Sequence, residues 1–294
     1  MRTILTTLVL LTLAAPAAAA RASLAVMPVE WGKGASPTWR SKLSTDAFTL
    51  ALITRLTKTQ KFDVIERAQL HKVFKEHKLT RLGLTDPTRA AKVGKLLGAD
   101  YLVYSQISKW SFTDSNHKVA IVNNWRHDLT LLLVLDVRVV AVQTGKIVQS
   151  DKVQVRLQWR VTTRGPGALS LADEPCLQAQ EQAVGDFLVQ VLKAFPMKII
   201  QVKDGVVFVN YGKGTGIQVG QVFEVCETGE ALTDPDTGEV LGQSEKSVGR
   251  IKITELSARY CKATLLDGKA SRGAVCKRYK GEKDWPPTSR PGGR

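Results

Sequence analysis

DPTRAAKVGKLLGADYLVYSQIS, residues Asp86–Ser108, reads as a helix, a tight turn and a buried strand in one run. Asp86 suits an N-cap and Pro87 the first helical position. Ala90, Val93 and Leu97 recur three and four apart and share one helix face, which leaves Lys92 and Lys95 to water. Gly98 supplies a residue that turns left-handed at little cost. Tyr101, Leu102, Val103, Tyr104 and Ile107 then form an apolar, partly β-branched run suited to a central strand. Such a unit needs packing partners on both sides.

Outward from this stretch, Ala22–Val29 predicts a strand, Thr38–Thr59 a helix, Phe62–Ile65 a short strand and Glu66–Lys78 a second helix. After Ser108 the chain is polar as far as His127 and is expected to be irregular. Asp128–Val142 and Lys146–Val161 read as a hairpin around Gln143–Thr144–Gly145, with Gly145 in the left-handed position. Glu174–Ala194 predicts a helix with Val184, Phe187, Leu188 and Val191 inward. The first part is therefore α+β, a mixed sheet of about five strands with about four helices.

Four segments in order carry a resemblance. LAVMPV (Leu24–Val29), FDVIERAQL (Phe62–Leu70), the LLGADYLV turn and DVRVVAVQTGKIVQS (Asp136–Ser150) resemble the CsgG/LpoB family of bacterial envelope proteins over roughly Ala22–Phe195. The resemblance implies a non-enzymatic adaptor that docks onto envelope machinery such as a cell-wall synthase, a secretion system or a flagellar apparatus. It also implies an alternative, a subunit of an oligomeric outer-membrane channel of the curli type. In such channels inserted hairpins follow the strand equivalent to Tyr101–Ile107 and the central hairpin. Here Lys109–His127 is rich in charge and Thr162–Asp173 is too short for two strands of about 9–11 residues each, so no membrane hairpins are expected.

Past Pro196 the pattern changes. Val206–Val209, Val222–Cys226, Val248–Leu256, Cys261–Leu266 and Ala274–Tyr279 are short strands, separated by turns at Gly212–Gly216, Asp234–Gly238 and Asp267–Gly268. That spacing suggests a small all-β, barrel-like domain. Val206–Val225 and Asp234–Ile251 resemble the C-terminal domain of flagellar assembly proteins of the FlgT type. The expected division is a signal peptide (1–20), a first domain (22–195), a small β domain (197–280) and a disordered Pro/Gly-rich tail (281–294).

The chain has 294 residues, enough for two ordinary cores, and 44% hydrophobic residues, which excludes a disordered protein. Arg2, the apolar run Ile4–Leu13 and Ala17–Ala20 form a secretory signal, too short to span a membrane, with cleavage expected near Ala20. The expected location is the periplasm, with outer-membrane association open. Net charge is +15. In an exported chain that excess points to anionic cell wall, lipid headgroups or other envelope proteins, not nucleic acid; self-association stays open. Lys152, Arg156 and Arg160 fall on one side of the second hairpin strand, opposite Val153, Val155, Leu157, Trp159 and Val161. They are the candidate partner-binding row, set against a simple solvated face.

No chemistry-bearing constellation emerges. YGKGTG (Tyr211–Gly216) lacks the Walker A spacing, and Asp236–Thr237–Gly238 has no second copy for a paired-carboxylate site. The four histidines show no metal spacing and are expected at the surface. No catalytic residue, cofactor or metal ligand is expected. Cys176, Cys226, Cys261 and Cys276 permit disulfides in an oxidising compartment, with Cys226–Cys276 the chosen pair.

Overall fold

The computed structural model describes residues 21–65, 92, 94–120, 124–238 and 240–279. The expected signal segment, the helix Glu66–Lys78, most of the helix opened by Asp86 and the tail after Tyr279 lie outside these residues.

Around Gly98 the chain turns as read. Residues 94–97 are helical, Gly98 adopts φ +65, and the Gly98 and Ala99 amides donate to the carbonyls of Lys95 and Gly94. Asp100 then ties the turn to the first strand, its carboxylate accepting from the Ser23 amide (2.8 Å) and hydroxyl (2.9 Å). Gly94 is needed for a second reason. A Cβ there would lie 2.2 Å from a Val142 methyl, so the helix rests directly on the sheet.

The first sheet contains β1 (Ser23–Val26), β2 (Glu30–Trp31), β3 (Asp63–Val64), β4 (Tyr101–Val119), β5 (Asn124–Ala141) and β6 (Ile147–Thr163). Its order is β3-β1-β4-β5-β6, with β2 also paired to β4. β1 runs parallel to β3 and β4, and β4, β5 and β6 are antiparallel. Gly145 makes the β5–β6 turn at φ +66, as expected.

One expectation fails here. Lys109–Val119 continues β4 and Asn124–His127 opens β5, paired from Lys109↔Val134 out to Val119↔Asn124. A long ladder supplies its own backbone hydrogen bonds, so polar residues suffice once the register is set. β4 thus reaches 19 residues, a span of about 60 Å.

Two helices cover one face of this sheet: α1 (Thr45–Lys58) and α2 (Asp173–Lys193). The predicted helix Thr38–Thr59 is split. Leu43 is extended and Ser44 caps α1 by accepting from the Ala47 amide, so Pro37–Lys42 forms a separate 3-10 turn. Phe48, Leu52 and Leu56 of α1 and Phe187, Leu188 and Val191 of α2 meet Leu131, Leu133, Leu135, Val137 and Val139 of β5, which alternate into the core. On the other face Ala25, Met27, Leu102, Val140 and Val142 form a small second cluster.

The second sheet is all β, ordered β12-β9-β10-β11-β8-β7. The strands are β7 (Ile199–Lys203), β8 (Val206–Val209), β9 (Val222–Thr233), β10 (Val240–Leu256), β11 (Cys261–Gly268) and β12 (Val275–Arg278). The ends of this order also touch. Lys198 bridges Val275, and the Ile199 and Cys276 amides donate to Ala274 and Met197. β7 had no sequence signal: four of its five residues are exposed, so no alternation marks it.

The two sheets share one apolar core. Phe195 sits edge-on to Phe62 and Tyr101, at 4.7 and 4.8 Å between centroids. The Tyr211 hydroxyl donates to the Phe195 carbonyl (2.8 Å). Gly214, at φ +87, lets its loop close on the end of α1; a Cβ would lie 2.5 Å from the Lys58 carbonyl.

Candidate partner-binding surface

β6 is the last strand of its sheet order, so its outer edge has no strand partner among the described residues. Val153 and Val155 are buried, whereas Lys152, Gln154, Arg156, Gln158 and Arg160 are exposed, as the period of two requires. Register then sorts the basic row. Arg160 pairs across to Asp128 and donates to its carboxylate (2.9 Å). Lys152 pairs across to Asp136 at 3.9 Å. Arg156 lies opposite Leu132 and faces no carboxylate from that strand. The Arg160 guanidinium, helped by Arg126, holds the Asp128 carboxyl below the ordinary carboxylate value despite partial burial. Basic side chains along an open edge also keep it from pairing indiscriminately.

Past the core, the same three strands carry a polar clasp. His127 is fully buried, which corrects its expected surface position. Its Nδ1 lies 2.9 Å from both Asp114 oxygens and its Nε2 lies 2.9 Å from Thr163 Oγ1. Thr163 donates its single hydroxyl proton to the Gly165 carbonyl (2.7 Å), so its oxygen is left to accept from Nε2–H. The Leu169 amide donates to Asp114 (2.8 Å), and Asn116 donates to the Pro166 carbonyl (3.3 Å). Burial of Asp114 opposes its ionisation, but the Leu169 amide and His127 outweigh this and hold its carboxyl below the ordinary value. The clasp fastens the loop after β6 onto the β4–β5 hairpin. Sequence spacing could not reveal it, because its members lie 13, 36 and 55 positions apart.

The cysteines do not follow the chosen pairing. All four are buried free thiols. Cys226 lies opposite Val275, and Cys276 opposite Val225. Alternation therefore sends the two side chains to opposite faces of the sheet, where no bridge forms. Burial raises the thiol of Cys176 to about 11 and those of Cys261 and Cys276 to about 12. The Asp234–Gly238 turn is built by Asp234, which accepts from the Asp236 and Thr237 amides. Among the described residues no cluster of His, Cys, Asp and Glu is arranged to hold a metal. No helix among them is long and apolar enough to cross a membrane.

At the seam between the sheets, Lys61 donates to the Asn210 carbonyl (3.3 Å) and sits 4.2 Å over the Tyr211 ring. Burial lowers its pKa to about 8. Nearby, the end of α2, the Tyr211–Phe223 segment and β12 enclose a cavity of about 600 Å³. Its walls include Leu192, Met197, Ile217 and Phe223, and Lys193, Lys277 and Arg278 stand among its lining.

Residues 14–210 match the family described as "Curli production assembly/transport component CsgG". The chain belongs to the CsgG family. Among solved structures, the CsgG-family chain is similar to the LpoB C-terminal domain from Escherichia coli, with 24% identity, 49% of this chain and 88% of that one covered, and TM-score 0.33. It is also similar to lipoprotein GNA1162 from Neisseria meningitidis, with 14% identity, 58% and 99% covered, and TM-score 0.37. A PelC dodecamer from Paraburkholderia phytofirmans gives 12% identity, 58% and 88% covered, and TM-score 0.29. No curated protein matches.

Proposed function

We propose that this protein is a non-enzymatic, periplasmic docking subunit of the cell envelope that works by surface complementarity. Family membership supports the envelope assignment. The observation that carries the docking reading is the open β6 edge, 17 residues long, with Lys152, Arg156 and Arg160 alternating outward. An open strand offers backbone groups to a partner, and a basic row selects an anionic one. The partner is an envelope protein with an acidic face, or anionic wall or lipid. The division into a family domain (22–195) and a FlgT-like, barrel-like β domain (197–280) belongs to this reading. The bonds that join β7 to β12 support the barrel.

The test is crosslinking in intact cells followed by identification of captured proteins, with wild type and the triple variant Lys152→Gln, Arg156→Gln, Arg160→Gln. Wild type is expected to capture an envelope component that the triple variant loses, most clearly at low ionic strength. Equal capture by both returns the row to a solvated face.

The hairpin Lys109–His127 favours a second reading, the channel, because it stands where curli-type channels insert one. Against it, Asp114, His127 and Thr163 tie that hairpin to the loop after β6. Stepwise conductance across planar bilayers would establish the channel; none is expected.

A further inference from the structure

The last strand delivers the chain to the cavity beside the end of α2. β12 runs antiparallel to β9, from Val275 opposite Cys226 to Arg278 opposite Phe223. Both Phe223 and Arg278 belong to the cavity lining. Tyr279, with the Arg250 guanidinium 5.0 Å over its ring, is the final described residue. Residues 280–294 therefore set out from the cavity's edge. Their sequence, KGEKDWPPTSRPGGR, is mostly polar and holds one large apolar side chain, Trp285, followed directly by Pro286 and Pro287.

The cavity calls for an apolar occupant. Its volume of about 600 Å³ is that of a site for a small molecule or a few side chains, and Leu192, Met197 and Ile217 stand in its walls. The cations of its lining are already engaged: Lys193 pairs with Asp151, Lys277 pairs with Glu245, and Arg278 has a partner as well. Its hydroxyls are engaged too, since Tyr211 donates to the Phe195 carbonyl and Thr215 to the Gly212 carbonyl. An anion would therefore have to break existing pairs. A tryptophan asks for none of them, because its ring brings a large apolar area while its N–H can stay at the mouth. Pro286 and Pro287 restrict the backbone beside it, so less freedom is lost on docking.

Trp285 lies six residues beyond Tyr279, a reach of up to about 20 Å, and the chain starts at the cavity, so the ring can fold back into it. A tether this short gives an effective concentration of millimolar order, and a contact of only ~0.1 mM intrinsic affinity is then mostly closed. We infer that Trp285 and the two prolines after it dock in this cavity of their own chain and close it. The contact involves the second sheet and the end of α2 and stands apart from the β6 edge.

Photocrosslinking on the full chain tests this. A photoreactive phenylalanine analogue in place of Trp285 is expected to join the Ile217–Phe223 segment or the end of α2. In an equal mixture of unlabelled and heavy-isotope-labelled protein, the two joined peptides are expected to carry the same label, since both come from one chain. No joint to the cavity lining would overturn the inference, and so would joints of mixed label, which would give the cavity to the tail of a second copy. Dye binding is the second readout. Nile red, a neutral apolar dye, is expected to stay dim with wild type and to brighten several-fold with Trp285→Ser, whose far-ultraviolet spectrum should be unchanged. A peptide of residues 280–294 in millimolar excess should dim the variant again. Equal brightness with wild type and variant, or a peptide without effect, would overturn the inference.

Discussion

The β4–β5 hairpin and the β9–β10 hairpin both continue past the core of their own sheet, and they end differently. The first keeps a third strand, since β6 pairs with β5 as far as Trp125↔Thr163. It also carries the buried clasp of Asp114, His127 and Thr163, and it packs Trp110 and Phe112 beneath Trp39, whose carbonyl accepts from the Trp110 indole (2.7 Å). Among the described residues the second has neither third strand nor buried side chain beyond Cys226. Strand length alone therefore says little about rigidity. A long hairpin becomes part of the body when a neighbour covers its edge and a polar contact at its far end is fully satisfied; otherwise it remains an arm.

The sharpest attempt to break this contrast is Asp114→Ala. It strips His127 of its carboxylate and the Leu169 amide of its acceptor, both inside the fold, and removing one member of a buried pair costs about 3–5 kcal/mol. Urea unfolding should show that loss. The pH dependence gives an independent reading. Asp114 titrates lower in the folded than in the unfolded chain, so its stabilisation is full above the ordinary carboxylate value of about 4 and is lost as pH falls below it. Acid unfolding should accordingly be less steep in the variant. A loss below ~1 kcal/mol would mean that the third strand alone braces the hairpin.

Gly268→Ala examines where the arm departs. Gly268 turns at φ +71, and a Cβ would stand 2.1 Å from the Val248 carbonyl. A loss of about 1–3 kcal/mol is expected, because the turn belongs to the body of the sheet. The smallest effect is expected beyond it. Replacing residues 229–244 by Asn-Gly, which joins Thr228 to its cross-strand partner Glu245 through a two-residue turn, should change stability by less than ~0.5 kcal/mol. A larger loss would show that the arm supports its own chain.

The same contrast explains what could be read in advance. The turn at Gly98, the Gly145 hairpin and the α2 helix each follow from residues close together in sequence. The continuation of β4 past Ser108 did not, because its residues are polar and hold the strand by register with β5. His127 looked like a surface residue for the same reason: its burial depends on where strands 13 and 36 positions away place Asp114 and Thr163. The basic row on β6 was legible from its period, but the neutralisation of Arg160 and Lys152 by Asp128 and Asp136 needed the register of β5. Cys226 and Cys276 both lie on the expected strands, yet facing required the pairing of β9 with β12.

Lys61 gives the seam between the sheets a chemical clock. An amine that releases its proton near pH 8 is nucleophilic under conditions where ordinary lysines are still largely protonated. It is partly shielded, stacked over the Tyr211 ring and held against the Asn210 carbonyl. Its acylation rate, set against that of the exposed lysines, therefore reports how firmly those two contacts hold at the seam.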